Sequence, residues 1–423
     1  MDKPFGFFVL LRGELIMTIR DKMRPYYQNV EGGLFGEVGK ADVGGGADAL
    51  IKSGVALMSW ADPFMPDPSI PEPVLEEAIK VLKGGFPSHY TMPIGSLELR
   101  KLLCERIKRK WNLDLDPARN MIINPGSDVG LMMAMTPFIN PGDEVLVHDP
   151  SYASNFINAE LLGGKTVKVK TYPEDDFHLR IEEYEKALTP NSKMVLLNNP
   201  CNPTGVSYTY EELKELSEFI IKNDLICVCD QAFEDVIFED SEFTCIAALP
   251  GMFERTVTVC SCSKGMGLSG FRVGWIYAPD TIMDVYHGIA VNVQGATSTL
   301  SQLAVMPAVK DDSFINDYLK KYDVRRKYAY KVFNACPGVS MHMPEAGFYA
   351  WINVKNLEDS TIVASRCASE AKVSLNDGKF YGSQGDGYLR LILACFWDDE
   401  DAFAAIDRVA ELFKKIAKEK GIN

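Results

Sequence analysis

Three almost wholly apolar runs in this chain end in residues that can do chemistry. The runs and the polar groups that follow them are, in order, Met194 to Leu197 before Asn-Asn-Pro-Cys-Asn-Pro-Thr-Gly at 198–205, Leu225 to Cys229 before Asp230, and Thr256 to Cys260 before Ser261, Ser263 and Lys264. Such runs are typical of parallel strands buried on both faces. Ligands of open α/β sheets bind beyond the carboxyl ends of the strands, so we expect these groups to form one site.

Lys264 is the strongest candidate for covalent chemistry. A single lysine after a strand is most often a solvated charge. Residues 261–272, however, combine this amine with several hydroxyls, three glycines and the guanidinium of Arg272. That grouping favours a lysine that forms a Schiff base beside an anion site.

A second anion-binding element is predicted at Asn124-Pro125-Gly126-Ser127-Asp128, directly before a helix that we expect to start at Val129. Backbone N–H groups at such a helix start would face a phosphate. The alternative, in which the segment only caps the helix, stays open at this point.

Taken in order, these segments resemble the pyridoxal-phosphate-dependent class I/II aminotransferases of fold type I. The resemblance extends from about Met58 to the C-terminus. The matching motifs are Tyr90-x-x-x-x-Gly95, Asp149-Pro150-Ser151-Tyr152, residues 198–205, Asp230-Gln-Ala-Phe, Ser261-x-Ser263-Lys264, Gly-Phe-Arg-Val-Gly at 270–274, Pro344 to Phe348 and Tyr388-Leu389-Arg390. It implies a ping-pong enzyme that moves the amino group of an L-amino acid to a 2-oxo acid.

The resemblance also implies a role for each matched residue. Lys264 would form the Schiff base with pyridoxal 5′-phosphate and move a proton, Asp230 would keep the ring nitrogen protonated, and Tyr152 would stack on the ring. Asn202 would contact the ring oxygen and, with Arg390, the substrate. The implied phosphate ligands are Gly126, Ser127, Asp128, Ser261, Ser263 and Arg272.

Two further positions concern the surroundings of the site. Tyr90 would reach the phosphate in a neighbouring subunit, so the resemblance implies a homodimer with sites at the subunit interface. Asn155, three residues after Tyr152, either supports Asp230 or is a solvated helix residue. No metal is expected, because the five histidines show no ligand spacing.

The chain departs from the family pattern at two places. Phe233 stands where the family has a tyrosine that binds the cofactor oxygen, and Ala61 stands where a glycine is usual. A lyase, racemase or oxidase with the same cofactor is therefore an alternative. A ligand-binding protein without catalysis is a second alternative, although an intact Lys264 and Asp230 count against it.

The charge pattern near the site predicts substrate preference. Dicarboxylate-specific members of the family provide a second cation, commonly an arginine after the Gly-Phe-Arg motif or a lysine on the phosphate-loop helix. Here no arginine lies between Arg272 and Arg325, and Asp128 occupies the loop position. We therefore expect neutral or basic amino acids to be better donors than aspartate and glutamate.

The elements that must position these residues alternate between helix and strand from residue 70 to 300, which predicts an α/β fold with a mainly parallel sheet. A capping box at Thr209 and Glu212 marks one helix start, at Tyr210. After residue 311 a smaller α+β region is expected, ending in an amphipathic helix from Asp401 to Lys418. The predicted division is an N-terminal extension and glycine-rich part of the small domain at 1–61, a large cofactor-binding domain at 62–310 and a small C-terminal domain at 311–423.

Composition excludes several other classes of protein. The 423 residues carry 44 Lys and Arg against 58 Asp and Glu, and the net charge of -14 disfavours nucleic acid and anionic membrane surfaces. The apolar run from Phe5 to Leu11 is far shorter than the roughly 20 residues of a membrane span. Ten cysteines without a Cys-x-x-Cys pair favour the cytoplasm. Seven glycines between Glu31 and Ala47 indicate either a linker or a lid.

Overall fold

The computed structural model describes residues 9–11, 14–16, 22–24 and 47–422. The glycine-rich segment predicted as a linker or a lid lies outside the described residues except for Ala47. Two short strands, β1 (Val9–Leu11) and β2 (Glu14–Ile16), pair with each other in antiparallel fashion.

A seven-stranded sheet forms the centre of the molecule, in the order β3-β9-β8-β7-β6-β4-β5. Its strands are β3 (Met121–Asn124), β4 (Glu144–Asp149), β5 (Lys165–Lys170), β6 (Ser192–Asn198), β7 (Ile226–Asp230), β8 (Thr256–Ser261) and β9 (Gly274–Tyr277). Strand β9 is antiparallel to both of its neighbours, β3 and β8, and the other four pairings are parallel. The prediction of an α/β fold with a mainly parallel sheet is confirmed.

Several of the helices between residues 47 and 310 pack against strands of this sheet. The bounds of the α-helices in this range are α1 (Ala47–Lys52), α2 (Glu72–Lys83), α3 (Leu97–Trp111), α4 (Ser127–Met135), α5 (Ala153–Leu161), α6 (Ile181–Ala187), α7 (Tyr210–Lys222), α8 (Asp280–Ile289), α9 (Thr299–Ala304) and α10 (Met306–Lys310). The helix after the glycine turn begins at Ser127 rather than Val129, because the turn is complete at Gly126, whose φ of +90° is open to glycine.

A smaller antiparallel sheet, in the order β10-β11-β13-β12, follows in the chain. It consists of β10 (Ser340–Met341), β11 (Tyr349–Asn353), β12 (Asn376–Asp377) and β13 (Tyr388–Ile392), and it packs with α11 (Ile315–Asn334), α12 (Ser360–Arg366) and α13 (Asp399–Lys420). The predicted apolar stripe of α13 is buried, apart from the half-buried Phe403. This is the expected smaller α+β region.

The segment before the large sheet is joined to the small one. Ala56 forms a parallel bridge with Val373, and the backbone N–H of Ile392 donates to the carbonyl of Met58 at 2.8 Å. The boundaries at residues 61 and 310 stay predictions. Within the described ranges, no helix combines the length and the apolar character that crossing a membrane requires.

Candidate active site

Asp230 is a buried carboxylate at the carboxyl end of a central strand of the large sheet. It is the last residue of β7 and only 3% exposed. Its carboxylate accepts two long hydrogen bonds, from the backbone N–H of Ala232 at 3.3 Å and from Asn155 Nδ2 at 3.5 Å. Burial in this position raises the pKa of Asp230 to about 7. A cation placed beside it would therefore bind strongly.

Lys264 lies beyond the end of the adjacent strand, β8. Its Nζ donates a hydrogen bond to the carbonyl of Ala61 at 2.6 Å and lies 5.9 Å from the centre of the Phe233 ring. The loop can close in this way because Gly265 follows, where an added Cβ would lie 2.2 Å from the Cβ of Asp235. Lys264 thus presents an amine at the same sheet edge as Asp230.

The predicted phosphate ligands come together between β3 and the loop after β8. A Cβ at Gly126 would lie 2.1 Å from Arg272 Nη2, so only a glycine turn admits the guanidinium. The hydroxyl of Ser261 donates to that of Ser263 at 2.7 Å. Ser127 opens α4, whose first backbone N–H groups and positive dipole end favour an anion.

Tyr152 and Asp128 are joined by a hydrogen bond next to the other predicted phosphate ligands. The phenol of Tyr152 donates to Asp128 Oδ1 at 3.3 Å. One helical turn after Tyr152, the side chain of Asn155 reaches Asp230, which is the first of its two predicted roles. The charge of Asp128 contributes to the raised pKa of Asp230, after the larger effect of burial. Asp128 thus adds one carboxylate to the site, next to Tyr152.

Arg390 approaches from the small sheet. It is fully buried in β13, and its Nη1 donates to Asn202 Oδ1 at 2.9 Å. Nη2 donates to Asn376 Oδ1 at 2.8 Å. The rings of Tyr349 and Tyr381 lie 5.1 and 4.8 Å from the guanidinium carbon. The arginine is thus oriented from several sides, as recognition of a planar carboxylate requires.

Sequence reasoning missed the residues that hold the loop after β6. Asn198 donates its backbone N–H to His148 Nε2 at 3.1 Å and its Nδ2 to the carbonyl of Asp230 at 3.3 Å. Asn198 Oδ1 accepts from the backbone N–H of Asn202 at 2.8 Å. Burial lowers the pKa of His148 to about 4, which keeps the imidazole neutral so that its Nε2 can accept. An isolated histidine in a strand gives no such signal in a sequence.

Phe233 and Tyr90 are the two remaining positions named from the sequence. Phe233 is buried against Phe348 and Tyr349, with ring centres 5.1 and 5.0 Å away, and it brings no hydroxyl to the site. Tyr90 is 94% exposed, outside the group formed by the other predicted residues.

The residues present fit pyridoxal phosphate. A buried carboxylate of raised pKa suits a protonated ring nitrogen, an amine at the neighbouring strand end suits an aldehyde, and the Gly126 turn with its serines and Arg272 suits a phosphate. Asn155 Oδ1, beside Asp230, is buried and has no hydrogen-bond partner in the described part of the chain.

Known proteins are similar to this chain both in sequence and in fold. The family described as aminotransferase class I and II matches residues 62–409. An aspartate aminotransferase of Pyrococcus abyssi is 32% identical over 84% of this chain and 90% of its own length. An aromatic-amino-acid aminotransferase of Thermococcus litoralis is 30% identical over 90% of this chain and 94% of its own. The crystal structure of an aromatic aminotransferase from Pyrococcus horikoshii superimposes with a TM-score of 0.81 at 30% identity, covering 88% of this chain and 99% of that one.

Proposed function

The chain belongs to the class I and II aminotransferases and is a transaminase, and from this premise we propose that it moves the amino group of an L-amino acid to a 2-oxo acid by a ping-pong mechanism, with pyridoxal phosphate joined to Lys264 as a Schiff base. The main support for the proposal is that Asp230 and Lys264 lie at the ends of two paired parallel strands. The Asp230 carboxylate is buried there and accepts two long hydrogen bonds. The two half-reactions would share these residues.

Each residue has a separate task in this proposal. When bound, pyridoxal phosphate supplies an electrophilic carbon for the amino group and a ring that takes up the electron pair left at the substrate Cα. Asp230 holds a proton on the ring nitrogen, and the Gly126 turn with Arg272 holds the phosphate. Lys264 Nζ takes the proton from the substrate Cα and returns it on the cofactor side. Arg390 and Asn202 orient the substrate carboxylate.

Covalent labelling tests this assignment. Borohydride reduction of the protein loaded with pyridoxal phosphate, followed by peptide mapping, should place the label on Lys264. Lys264→Ala should lose the label, while Lys379→Ala, at an exposed ion pair with Asp359, should keep it. A label on another lysine would refute the proposal.

A homodimer is the second part of the proposal. Exposed apolar side chains at Phe86, Tyr90 and Met92 lie in a segment that contacts the region of the exposed Val293, because Gln294 Nε2 donates to the carbonyl of Pro93 at 3.3 Å. The same segment leads to β3 and the phosphate turn. A second copy seated on this patch would cover the mouth of the site and bring Tyr90 to the partner's phosphate.

Oligomeric state tests the dimer directly. Sedimentation should give a dimer for the wild-type protein and a monomer for the double variant Met92→Glu with Val293→Glu. Ile362→Glu, an exposed apolar position on α12, is the matched control and should remain dimeric. A wild-type monomer would contradict the proposal.

Substrate charge is the third part. Asp128 places a carboxylate beside Tyr152, which would repel a distal carboxylate and tolerate a neutral or cationic side chain. We expect kcat/KM for alanine, phenylalanine or lysine to exceed that for aspartate, and Asp128→Asn to reduce the difference. Aspartate leading by tenfold, about 1.4 kcal/mol in transition-state binding, would overturn it.

A cytoplasmic location completes the proposal. All ten cysteines are buried thiols, the state that a reducing compartment maintains. Fractionation of the native cells would test it.

A further inference from the structure

A buried carboxylate joins the two sheets next to the site. Asp149 is the last residue of β4 and is fully buried. Its Oδ2 accepts from the backbone N–H of Ser383 at 2.9 Å and from the Ser383 hydroxyl at 2.6 Å. Its Oδ1 accepts from the backbone N–H of Gln384 at 3.1 Å. Three hydrogen bonds to one carboxylate group make this a strong connection.

The turn that supplies these donors is shaped for the contact. Gly382 has φ +119° and ψ -178°, and an added Cβ would lie 2.0 Å from Asp149 Oδ1. Only glycine permits this conformation and this approach. A further hydrogen bond joins the same two segments, from the backbone N–H of Ser151 to the carbonyl of Tyr381 at 2.9 Å.

The two sides of this connection lead to the two ends of the substrate site. On the large sheet, Ser151 is followed by Tyr152. On the small sheet, the ring of Tyr381 lies 4.8 Å from the guanidinium carbon of Arg390. We propose that Asp149 and the turn at 381–384 form a clamp that fixes the separation of Tyr152 and Arg390, which makes Asp149 a positioning residue for transamination. This inference rests on the proposed function of both residues.

The clamp has a specific kinetic consequence. An α-amino acid must meet the cofactor ring and Arg390 together, whereas an amine without a carboxylate needs only the ring. A small misplacement of one group costs about tenfold or more in such two-point reactions. Asp149→Asn turns an amide N–H₂ toward backbone donors, and Ser383→Ala removes one donor. Both should penalise amino acids and spare amines.

The test compares both variants with the wild-type holoenzyme. The first half-reaction is followed with an α-amino acid and with the amine that has the same side chain but lacks the carboxylate. Without any turnover, the dissociation constant of a 2-methyl amino acid is read from the cofactor absorbance. Asp143→Asn is the matched control, since Asp143 accepts from a backbone N–H at 2.8 Å just before the other end of β4.

The clamp predicts at least a tenfold fall in the ratio of amino-acid to amine kcat/KM, and a similar rise in the 2-methyl amino acid dissociation constant, in Asp149→Asn. Ser383→Ala should change in the same direction, and Asp143→Asn should leave both unchanged. Equal losses for amino acid and amine, or no loss, in a wild-type enzyme that does transaminate would refute the clamp alone. A wild-type protein that transfers no amino group would refute the proposed function, and the clamp with it.

Discussion

Replacing Asp230 by asparagine should stabilise the cofactor-free protein, although it removes a residue proposed for catalysis. Burial raises the pKa of Asp230 from 3.8 to about 7, so the folded state holds a proton more tightly than the unfolded state does. The free energy of unfolding that this group contributes is highest below pH 3.8 and falls as the pH rises to about 7. At about 1.4 kcal/mol for each pKa unit, the loss is on the order of 4 kcal/mol.

Asparagine avoids this loss and fits the site. Its Oδ1 can accept from the backbone N–H of Ala232, as Asp230 does, and its Nδ2 can donate to Asn155 Oδ1, which has no partner within the described residues. The variant should therefore match the wild-type protein near pH 4, gain stability as the pH rises to about 7, and stay more stable above it.

The assay is urea unfolding of both cofactor-free proteins from pH 4 to 8, with cofactor affinity measured on the same samples. Pyridoxal phosphate should reverse the order of stability, because only the carboxylate pairs with a protonated ring nitrogen. Asp149→Asn is the contrasting control. The Asp149 carboxylate accepts three hydrogen bonds, so its replacement should lower the free energy of unfolding. A cofactor-free Asp230→Asn no more stable than wild type at pH 8 would refute the reasoning.

Two further predictions concern stability. Burial alone would lower the pKa of His178, but its hydrogen bonds to Glu212 and Glu345 raise it to about 10. His178→Gln should therefore lower the free energy of unfolding by roughly 2–3 kcal/mol at pH 6.5, and this difference should shrink as the pH approaches 10. Thermal melts of both proteins at the two pH values would test this. Arg106 is buried and paired with Glu234 and Asp235, so Arg106→Met should cost about 3–5 kcal/mol in urea unfolding, and a variant as stable as wild type would contradict this account of the ion pairs.

Local signals in the sequence predicted the elements well where one physical cause dominates. The Thr209–Glu212 capping box gave the start of α7 at the correct residue, because both of its hydrogen bonds join residues three apart. Apolar runs predicted β6, β7 and β8, since strands buried on both faces have no polar face to interrupt the pattern. Strand β9 was not predicted, because its first residue, Gly274, was interpreted only as the end of the motif at 270–274.

The site was predictable in its residues but not in its supports. The candidates Asp230, Lys264, Asn202 and Arg390 are visible because their types and order match a family. Their roles stay predictions. Asn376, which orients Arg390, gave no signal, and the motif that contains Asp149 gave no sign of its contact with the small-sheet turn. Both act across distant parts of the fold, where neither periodicity nor a motif records which segments will meet.

The hydrogen bond between Lys264 and Ala61 has a consequence for how the protein folds during translation. All strands of the large sheet come from residues 121–277, so that sheet can form while the rest of the chain is still being made. The segment from Ala56 to Ala61, in contrast, is held by Val373 and Ile392, near the other end of the sequence. It must wait, unpaired, through the synthesis of more than 300 residues. Lys264 therefore lacks its hydrogen-bond partner Ala61 in its final position until translation is almost over.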